Sequence, residues 1–178
     1  MMRCTIWARL GALSAVLFLL ALAACSGKLP DGYSEYKDEK NGFVLAHPSD
    51  WEELHGMGTL VSFAAPGESS KGRPNFGVTS ERLGQNMSPE EYIEQAKKIM
   101  TQVMPGFKFL EQRSETIHDR KGVRFKYSIE VDGQKLTLVG FAVINKQMAY
   151  VVTGGCKDEQ FQEFEGVFDI AGRSLNML

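Results

Sequence analysis

Two neighbouring segments, residues 136–144 and 148–152, are apolar at nearly every position. Short apolar runs bounded by turn residues are typical of strands that are buried on both faces. Such strands need a layer of structure on each side of their sheet. We therefore expect a sheet sandwiched between further elements, with helices or a hairpin on opposite sides.

Turn residues divide the preceding chain into further antiparallel strands. Asn41-Gly42 predicts a tight hairpin between residues 33–37 and 43–47. Residues 123–131 alternate apolar with polar or charged side chains, which indicates a strand with one face in water. Further strands are expected at residues 58–65, 75–82 and 107–118.

Two segments carry helix signals. Ser88-Pro-Glu-Glu91 is a capping box with proline at the first helical position, and Pro105-Gly106 ends the apolar periodicity that follows it. A second apolar stripe at helical spacing runs from Phe161 to Leu175. The expected fold is α+β, an antiparallel sheet flanked by helices in the order β-β-β-β-α-β-β-β-β-α.

The N-terminal segment has the pattern of a secretion signal. Arg3 and Arg9 precede an uncharged run, residues 10–24. This run is shorter than the roughly 20 apolar residues of a permanent membrane helix. It ends in Leu22-Ala23-Ala24-Cys25, which resembles the bacterial lipobox. The resemblance implies recognition of Leu22, Ala23 and Ala24 by a signal peptidase, cleavage before Cys25, and acyl chains on its sulfur.

These signals predict three parts: a cleaved signal peptide, residues 1–24; a lipidated cysteine with a short linker, residues 25–32; and one domain, residues 33–178. Acyl chains contribute about 0.8 kcal/mol per buried CH₂, so the anchor would hold the chain in the cell envelope, facing the periplasm. The linker spans at most about 25 Å, which keeps the domain near the bilayer. Ser26 favours the outer membrane by the same resemblance. A conventional signal with an incidental Cys25 is the alternative.

Charge and cysteine content exclude two further classes. The formal net charge is −2, and loss of Arg3 and Arg9 with the leader makes the chain more acidic, so a basic nucleic-acid footprint is absent. After loss of Cys4 and acylation of Cys25, Cys156 is the only thiol left. An intramolecular disulfide is therefore excluded.

Residues 42–51, in which an apolar strand runs into Pro48-Ser-Asp-Trp51, together with the element order, resemble the PsbP-like superfamily. That superfamily includes DcrB-type bacterial lipoproteins. The resemblance implies an α/β/α sandwich and a non-enzymatic domain that binds or helps assemble another component. Its members share no catalytic residues, so none is carried over.

Motifs for phosphate loops, serine hydrolases and zinc are missing from the sequence, so we expect no cofactor, metal or catalytic residue. His47, Trp51 and His55 lie close together in the chain and are candidate binding residues. The alternatives are loop histidines and an aromatic lid on the core. Cys156, expected at the start of the last helix, is either a packed side chain or a thiolate activated by that helix and Lys157.

The leading hypothesis is a membrane-anchored, non-enzymatic accessory protein with an envelope protein as its partner. Two alternatives are open. One is a carrier or sensor of a small apolar ligand, held between the aromatic-rich C-terminal helix and the sheet. The other is a thiol-dependent enzyme centred on Cys156.

Overall fold

The computed structural model describes residues 29–56, 58–67 and 73–178. These residues form ten strands and two α-helices, with a short 3₁₀ turn at Asp158–Gln160 before the second helix. In chain order they are β1 (Tyr33–Asp38), β2 (Phe43–Pro48), β3 (Glu52–Gly56), β4 (Thr59–Ala64), β5 (Asn75–Arg82), α1 (Pro89–Val103), β6 (Lys108–Ile117), β7 (Arg120–Val131), β8 (Gln134–Asn145), β9 (Met148–Lys157), α2 (Phe161–Ser174) and β10 (Asn176–Met177).

The strands form two antiparallel sheets. The larger sheet has seven strands in the order β3-β4-β5-β9-β8-β7-β6, and the smaller has three in the order β1-β2-β10. The doubly apolar strands β8 and β9 lie side by side near the middle of the larger sheet. The predicted α+β class and antiparallel pairing are confirmed, and the predicted element order matches the structure apart from two additional strands.

The local signals act as the sequence predicts. The Glu91 backbone N–H donates to the Ser88 hydroxyl at 3.2 Å, and the Ser88 N–H donates to the Glu91 carboxylate at 2.7 Å. This capping box begins α1, which ends at Val103, two residues before Pro105. In the first hairpin, Gly42 adopts a positive φ of 73° that glycine reaches without a steric penalty.

Two strands escape sequence analysis. Every residue of β3 is exposed, because β3 is an edge strand and its side chains show no apolar alternation. β10 has only two residues and pairs with β2. β1, β2 and β10 together form the smaller sheet. The N-terminal hairpin is therefore not part of the seven-stranded sheet.

The two helices lie on opposite faces of the larger sheet. α2 and the small sheet cover one face, where rings such as Phe43, Phe141 and Phe168 form the main core. α1 lies on the other face, where Ile93 packs with Phe125 and Tyr127 in a second, smaller cluster. Residues 139–143 of β8 and 149–152 of β9 are thus buried on both faces, as their composition requires.

The polar side of β7 is covered, whereas its alternating pattern predicts exposure to water. Arg124 is only 3% exposed and donates to Glu111, to Glu165 at 2.6 Å and to Asp169 at 2.9 Å. Glu165 and Asp169 lie on α2. An ion-pair network therefore docks α2 on a face of β7 that alternation alone assigns to solvent.

Two glycines of α2 allow a matched test of this packing. A methyl group at Gly172 would overlap the ring of Phe141, whereas one at Gly166 would meet nothing within 4 Å. We expect Gly172→Ala to lower the free energy of unfolding by about 1 to 3 kcal/mol through overpacking. Gly166→Ala should raise it by about 0.5 to 1 kcal/mol, because alanine is the better helix former. Urea denaturation measures both, and equal effects would contradict the close packing of α2.

Candidate functional site

The four residues of the lipidation signal, Leu22, Ala23, Ala24 and Cys25, lie outside the described residues, so lipidation stays a prediction. The described chain reaches β1 through Gly32, whose carbonyl accepts from the Ser49 N–H at 2.8 Å. No helix among residues 29–56, 58–67 and 73–178 is long and apolar enough to cross a membrane.

The three candidate binding residues do not form one site. His47, on β2, stacks on Phe63 with ring centroids 4.2 Å apart, and its Nδ1 lies 2.9 Å from the Pro48 carbonyl oxygen. His55, on edge strand β3, is exposed and lies 2.9 Å from a Glu53 carboxylate oxygen. The two imidazoles therefore belong to strands of different sheets.

Trp51 is a core residue. It is 8% exposed, and its ring packs against Phe76, Phe164 and Phe168 with centroids 5.6 to 6.3 Å apart. This geometry is that of an aromatic lid over the core, and it presents little surface to a partner. The same rings fill the space between α2 and the sheet, which is where a small apolar ligand would have to lie.

Cys156 lies near the end of β9, whereas we expected it at the start of the last helix. Its side chain is 2% exposed and belongs to the main core. Burial raises the pKa of the Cys156 thiol to about 11, and the nearby Glu163, Asp158 and Glu159 add to the rise. The environment therefore stabilises the neutral thiol, the reverse of what a thiolate nucleophile needs.

The structure exposes a surface that sequence analysis misses. α1 makes its main contacts with β6, β7 and β8, so it covers only that half of its sheet face. Over β4, β5 and β9 no helix of the described chain covers the same face, which carries a groove of about 290 Å³. We call this half the open sheet face. Its lining residues are Thr59, Ser62, Asn75, Gly77, Thr79, Leu136, Leu138, Thr153, Gly155 and Cys156. Of these, Cys156 belongs to the main core on the opposite face.

A bulge in β4 directs hydroxyl groups into this groove. Leu54 pairs with Ser62 and Gly56 with Thr59, so β4 has one more residue than β3 between the two pairs. As a result Thr59 and Ser62 face the same side, with their hydroxyl oxygens 2.9 Å apart. A bulge next to an edge strand also discourages further strand pairing.

Two glycines keep the floor of the groove low. A Cβ at Gly77 would lie 2.7 Å from the Ser62 hydroxyl oxygen, and one at Gly155 would lie 2.8 Å from Leu138 Cγ. Even-numbered residues of β5 and β9 point to the opposite face, where Phe76 and Val152, for example, belong to the main core. The open sheet face is therefore a shallow, uncharged surface of hydroxyls, one amide and two leucines on a rigid support.

α1 borders the open sheet face. Tyr92 donates its hydroxyl to Glu81 of β5 at 3.1 Å, and burial, followed by the charge of Glu81, raises the pKa of Tyr92 to about 12. Beyond this contact the helix exposes two apolar side chains one turn apart, Ile99 at 59% and Val103 at 67%. Ile99 also lines a second groove, of about 280 Å³, between α1 and the end of β5.

The sequence carries little signal that would predict this surface. Serine, threonine and asparagine at alternate strand positions are ordinary surface residues. The only available signal is glycine inside a strand, at Gly77 and Gly155, which often marks close approach of another group. Within the described ranges no three His, Cys, Asp or Glu side chains are arranged to hold a metal ion.

Solved structures with the same fold come from distant organisms. Cyanobacterial PsbP (CyanoP) from Synechocystis sp. PCC 6803 is similar with a TM-score of 0.63 at 13% identity, over 88% of this chain and 99% of that one. LpqN, described as involved in cell envelope biogenesis of Mycobacterium tuberculosis, gives 0.61 at 13% identity, over 82% and 91%. The Saccharomyces cerevisiae Ran-binding protein Mog1p gives 0.59 at 6% identity, over 82% and 95%.

At these identities the likeness shows a shared fold and carries no residue roles. A comparison with curated protein sequences finds no match. The family model of PsbP matches residues 31–177, which covers both sheets and both helices. The predicted PsbP-like resemblance is confirmed, and the chain belongs to the PsbP family.

Proposed function

We propose that this chain is a lipid-anchored, non-enzymatic accessory protein of the bacterial cell envelope. In this proposal Cys25 carries the acyl chains, Ser26 directs the protein to the outer membrane, and the domain faces the periplasm. The open sheet face binds another envelope protein.

The observation that carries the proposal is the incomplete cover of the larger sheet. Among residues 29–56, 58–67 and 73–178, α1 covers one half of a sheet face, and the other half carries a groove that no helix of these residues covers. α1, which borders this surface, also exposes the apolar side chains Ile99 and Val103. The surface is shallow, largely pre-formed and lined by apolar and hydroxyl groups. Such a surface suits a protein partner better than it suits a small molecule, which is usually enclosed in a deep pocket.

Two relatives of the same fold support an accessory role. LpqN is described as involved in cell envelope biogenesis, and Mog1p is a Ran-binding protein. Both descriptions belong to those proteins, and we extend only their general class to this chain. His55, the one exposed member of the three candidate residues, lies on β3 beside β4 and stays a candidate contact.

The two alternatives receive less support from the geometry. A carrier of an apolar ligand would need space between α2 and the sheet, and there Phe161, Phe164 and Phe168 pack against one another. A thiol enzyme would need an accessible thiolate, whereas the Cys156 thiol is buried with a raised pKa.

Lipidation is tested by the N-terminus of the protein made in its native cells. We expect mass spectrometry to find an acylated N-terminal cysteine at Cys25, and the protein to partition into the detergent phase. Cys25→Ser should abolish both properties. Cys4→Ser is the matched control, because Cys4 lies in the leader that is removed. An unmodified N-terminus at another residue would contradict the anchor.

The open sheet face is tested by site-specific crosslinking in cells. A photoreactive amino acid at position 79 should capture a defined envelope protein, whereas the same group at position 116, on the far edge strand β6, should not. Thr153→Arg should reduce capture about tenfold or more, because an unpaired charge buried in an interface costs about 2 kcal/mol or more.

Thr116→Arg is the control for Thr153→Arg, since both place an arginine on an exposed or half-exposed strand position. If Thr153→Arg, Thr116→Arg and the parent chain have equal melting temperatures, reduced capture reflects loss of binding and not loss of fold. Equal capture at positions 79 and 116 would overturn the assignment of the open sheet face. Copurification of a small apolar molecule without any captured protein would favour the carrier.

Alkylation tests the thiol enzyme alternative. With a pKa of about 11, only about one Cys156 thiol in a thousand is ionised at pH 8. Iodoacetamide should therefore leave Cys156 unlabelled in the folded chain over an hour and label it once the chain is unfolded in urea, as peptide mass spectrometry can show. Rapid labelling of the folded protein would restore the reactive-thiol hypothesis.

A further inference from the structure

A second surface lies at the opposite end of the strands from the linker. β1 runs from Tyr33, where the linker enters, to the turn at Asn41, about 20 Å away along the strand. Beside this turn is a groove of about 390 Å³ between the small and large sheets. The turn, the end of β5 and the β8–β9 turn converge on it.

The groove is held in shape by a contact between the two sheets. The Tyr150 hydroxyl donates to the Asn41 carbonyl oxygen at 2.9 Å. The Asn41 side-chain amide in turn donates from Nδ2 to Oδ2 of Asp38 at 2.6 Å. The Leu178 backbone N–H donates to the Gly42 carbonyl at 2.9 Å on the same side. The walls are therefore fixed before any ligand arrives.

Its two charged side chains are both cations, and Leu178, which carries the C-terminal carboxylate of this sequence, also lines it. Arg82, at the end of β5, and Lys146, in the β8–β9 turn, line the groove together with Asn145 and Gln147. Both cations are exposed, and neither makes an ion pair with a carboxylate of the described residues. The contrast is with Arg124, which contacts three carboxylates.

We propose that this groove binds an anion, a phosphate or carboxylate group, between the Arg82 guanidinium and the Lys146 ammonium. An arginine fork matches two oxygens of such a group, and a lysine adds a point charge. The amides of Asn145 and Gln147 are additional hydrogen-bond donors within the same lining. The site is independent of the open sheet face.

The source of the anion follows from the position of the groove. With the proposed anchor at Cys25, the linker end of β1 lies toward the bilayer and the groove end lies away from it. We therefore assign the groove to a soluble anionic ligand rather than to a lipid headgroup. This choice of source rests on the proposed function, whereas the anion site itself does not.

Lys146 offers a variant that separates binding from folding. It adopts a positive φ of 57°, a conformation that glycine reaches at less cost than lysine. Lys146→Gly should therefore keep or raise the melting temperature while it removes one charge from the groove. A loss of binding in this variant cannot be attributed to a loss of stability.

The experiment uses the full chain in neutral detergent and inorganic phosphate as the probe, with titration calorimetry at constant ionic strength. We expect saturable binding that weakens about tenfold or more in Arg82→Gln and in Lys146→Gly, since charged hydrogen bonds are lost. Lys121→Gln, an exposed site on β7 outside the groove, should bind phosphate as the parent chain does.

Absence of saturable binding would overturn the proposal, as would equal weakening in Lys121→Gln. Phosphatidylglycerol vesicles distinguish the source. These vesicles are mixed with the chain that lacks its acyl anchor. If the chain binds the vesicles, Arg82→Gln abolishes that binding and free phosphate does not bind, the ligand is a lipid headgroup and the assignment to a soluble anion is wrong. Capture at position 79 should be unchanged in Arg82→Gln, so failure of the anion site and failure of the proposed function are distinguishable.

Discussion

β8 and β9 bury both of their faces over residues 139–143 and 149–152, and the other layers are arranged around that requirement. On one face the cover comes from α2 and the small sheet, whose side chains form one continuous core with the strands. On the other face, α1 is the one helix of the described residues that provides cover. One helix is narrower than seven strands, since a helix is about 10 Å across and strands are about 4.8 Å apart. The open sheet face is the direct result of this difference in width.

Arg124 shows why packing overrides the strand pattern. Its charge is buried under α2 and compensated by Glu111, Glu165 and Asp169. Burial acts to raise the pKa of Glu165, but the hydrogen bonds and positive charges of Arg124 and Lys126 outweigh it and hold that pKa below its usual range. A buried charge that loses a partner is costly, so the network favours one position of α2 on the sheet. The sequence of β7 alternates in the same way whether its polar side faces water or acidic residues of a helix.

The parts of the fold that sequence could predict are those set by local chemistry. The capping box at Ser88, the turn at Gly42 and the helical stripe of α2 each act over a few residues, and each appears as expected. The separation of the small sheet depends on β10, at the other end of the chain, and no local pattern records that pairing. The edge strand β3 lacks an apolar face and so lacks the signal by which strands are found.

The candidate site was harder to predict, because exposure is decided by distant elements. Trp51 has the composition of a binding anchor, yet α2 covers it. Thr79 and Thr153 are residue types of ordinary protein surface, yet they line a groove because α1 does not extend over β5 and β9. Arg82 and Lys146 are far apart in the chain and line the same groove because β5 pairs with β9. In each case the deciding contact joins segments that sequence analysis treats separately.

The two surfaces can be occupied at the same time. β9 contributes to both, with Thr153 on the open sheet face and Tyr150 at the groove between the sheets. Successive side chains of a strand point to opposite faces, and the odd number of steps between these two residues places them on opposite sides of the sheet. A protein on the open sheet face would therefore leave the groove accessible. Because β9 is paired on both sides and rigid, we expect little coupling between the two sites.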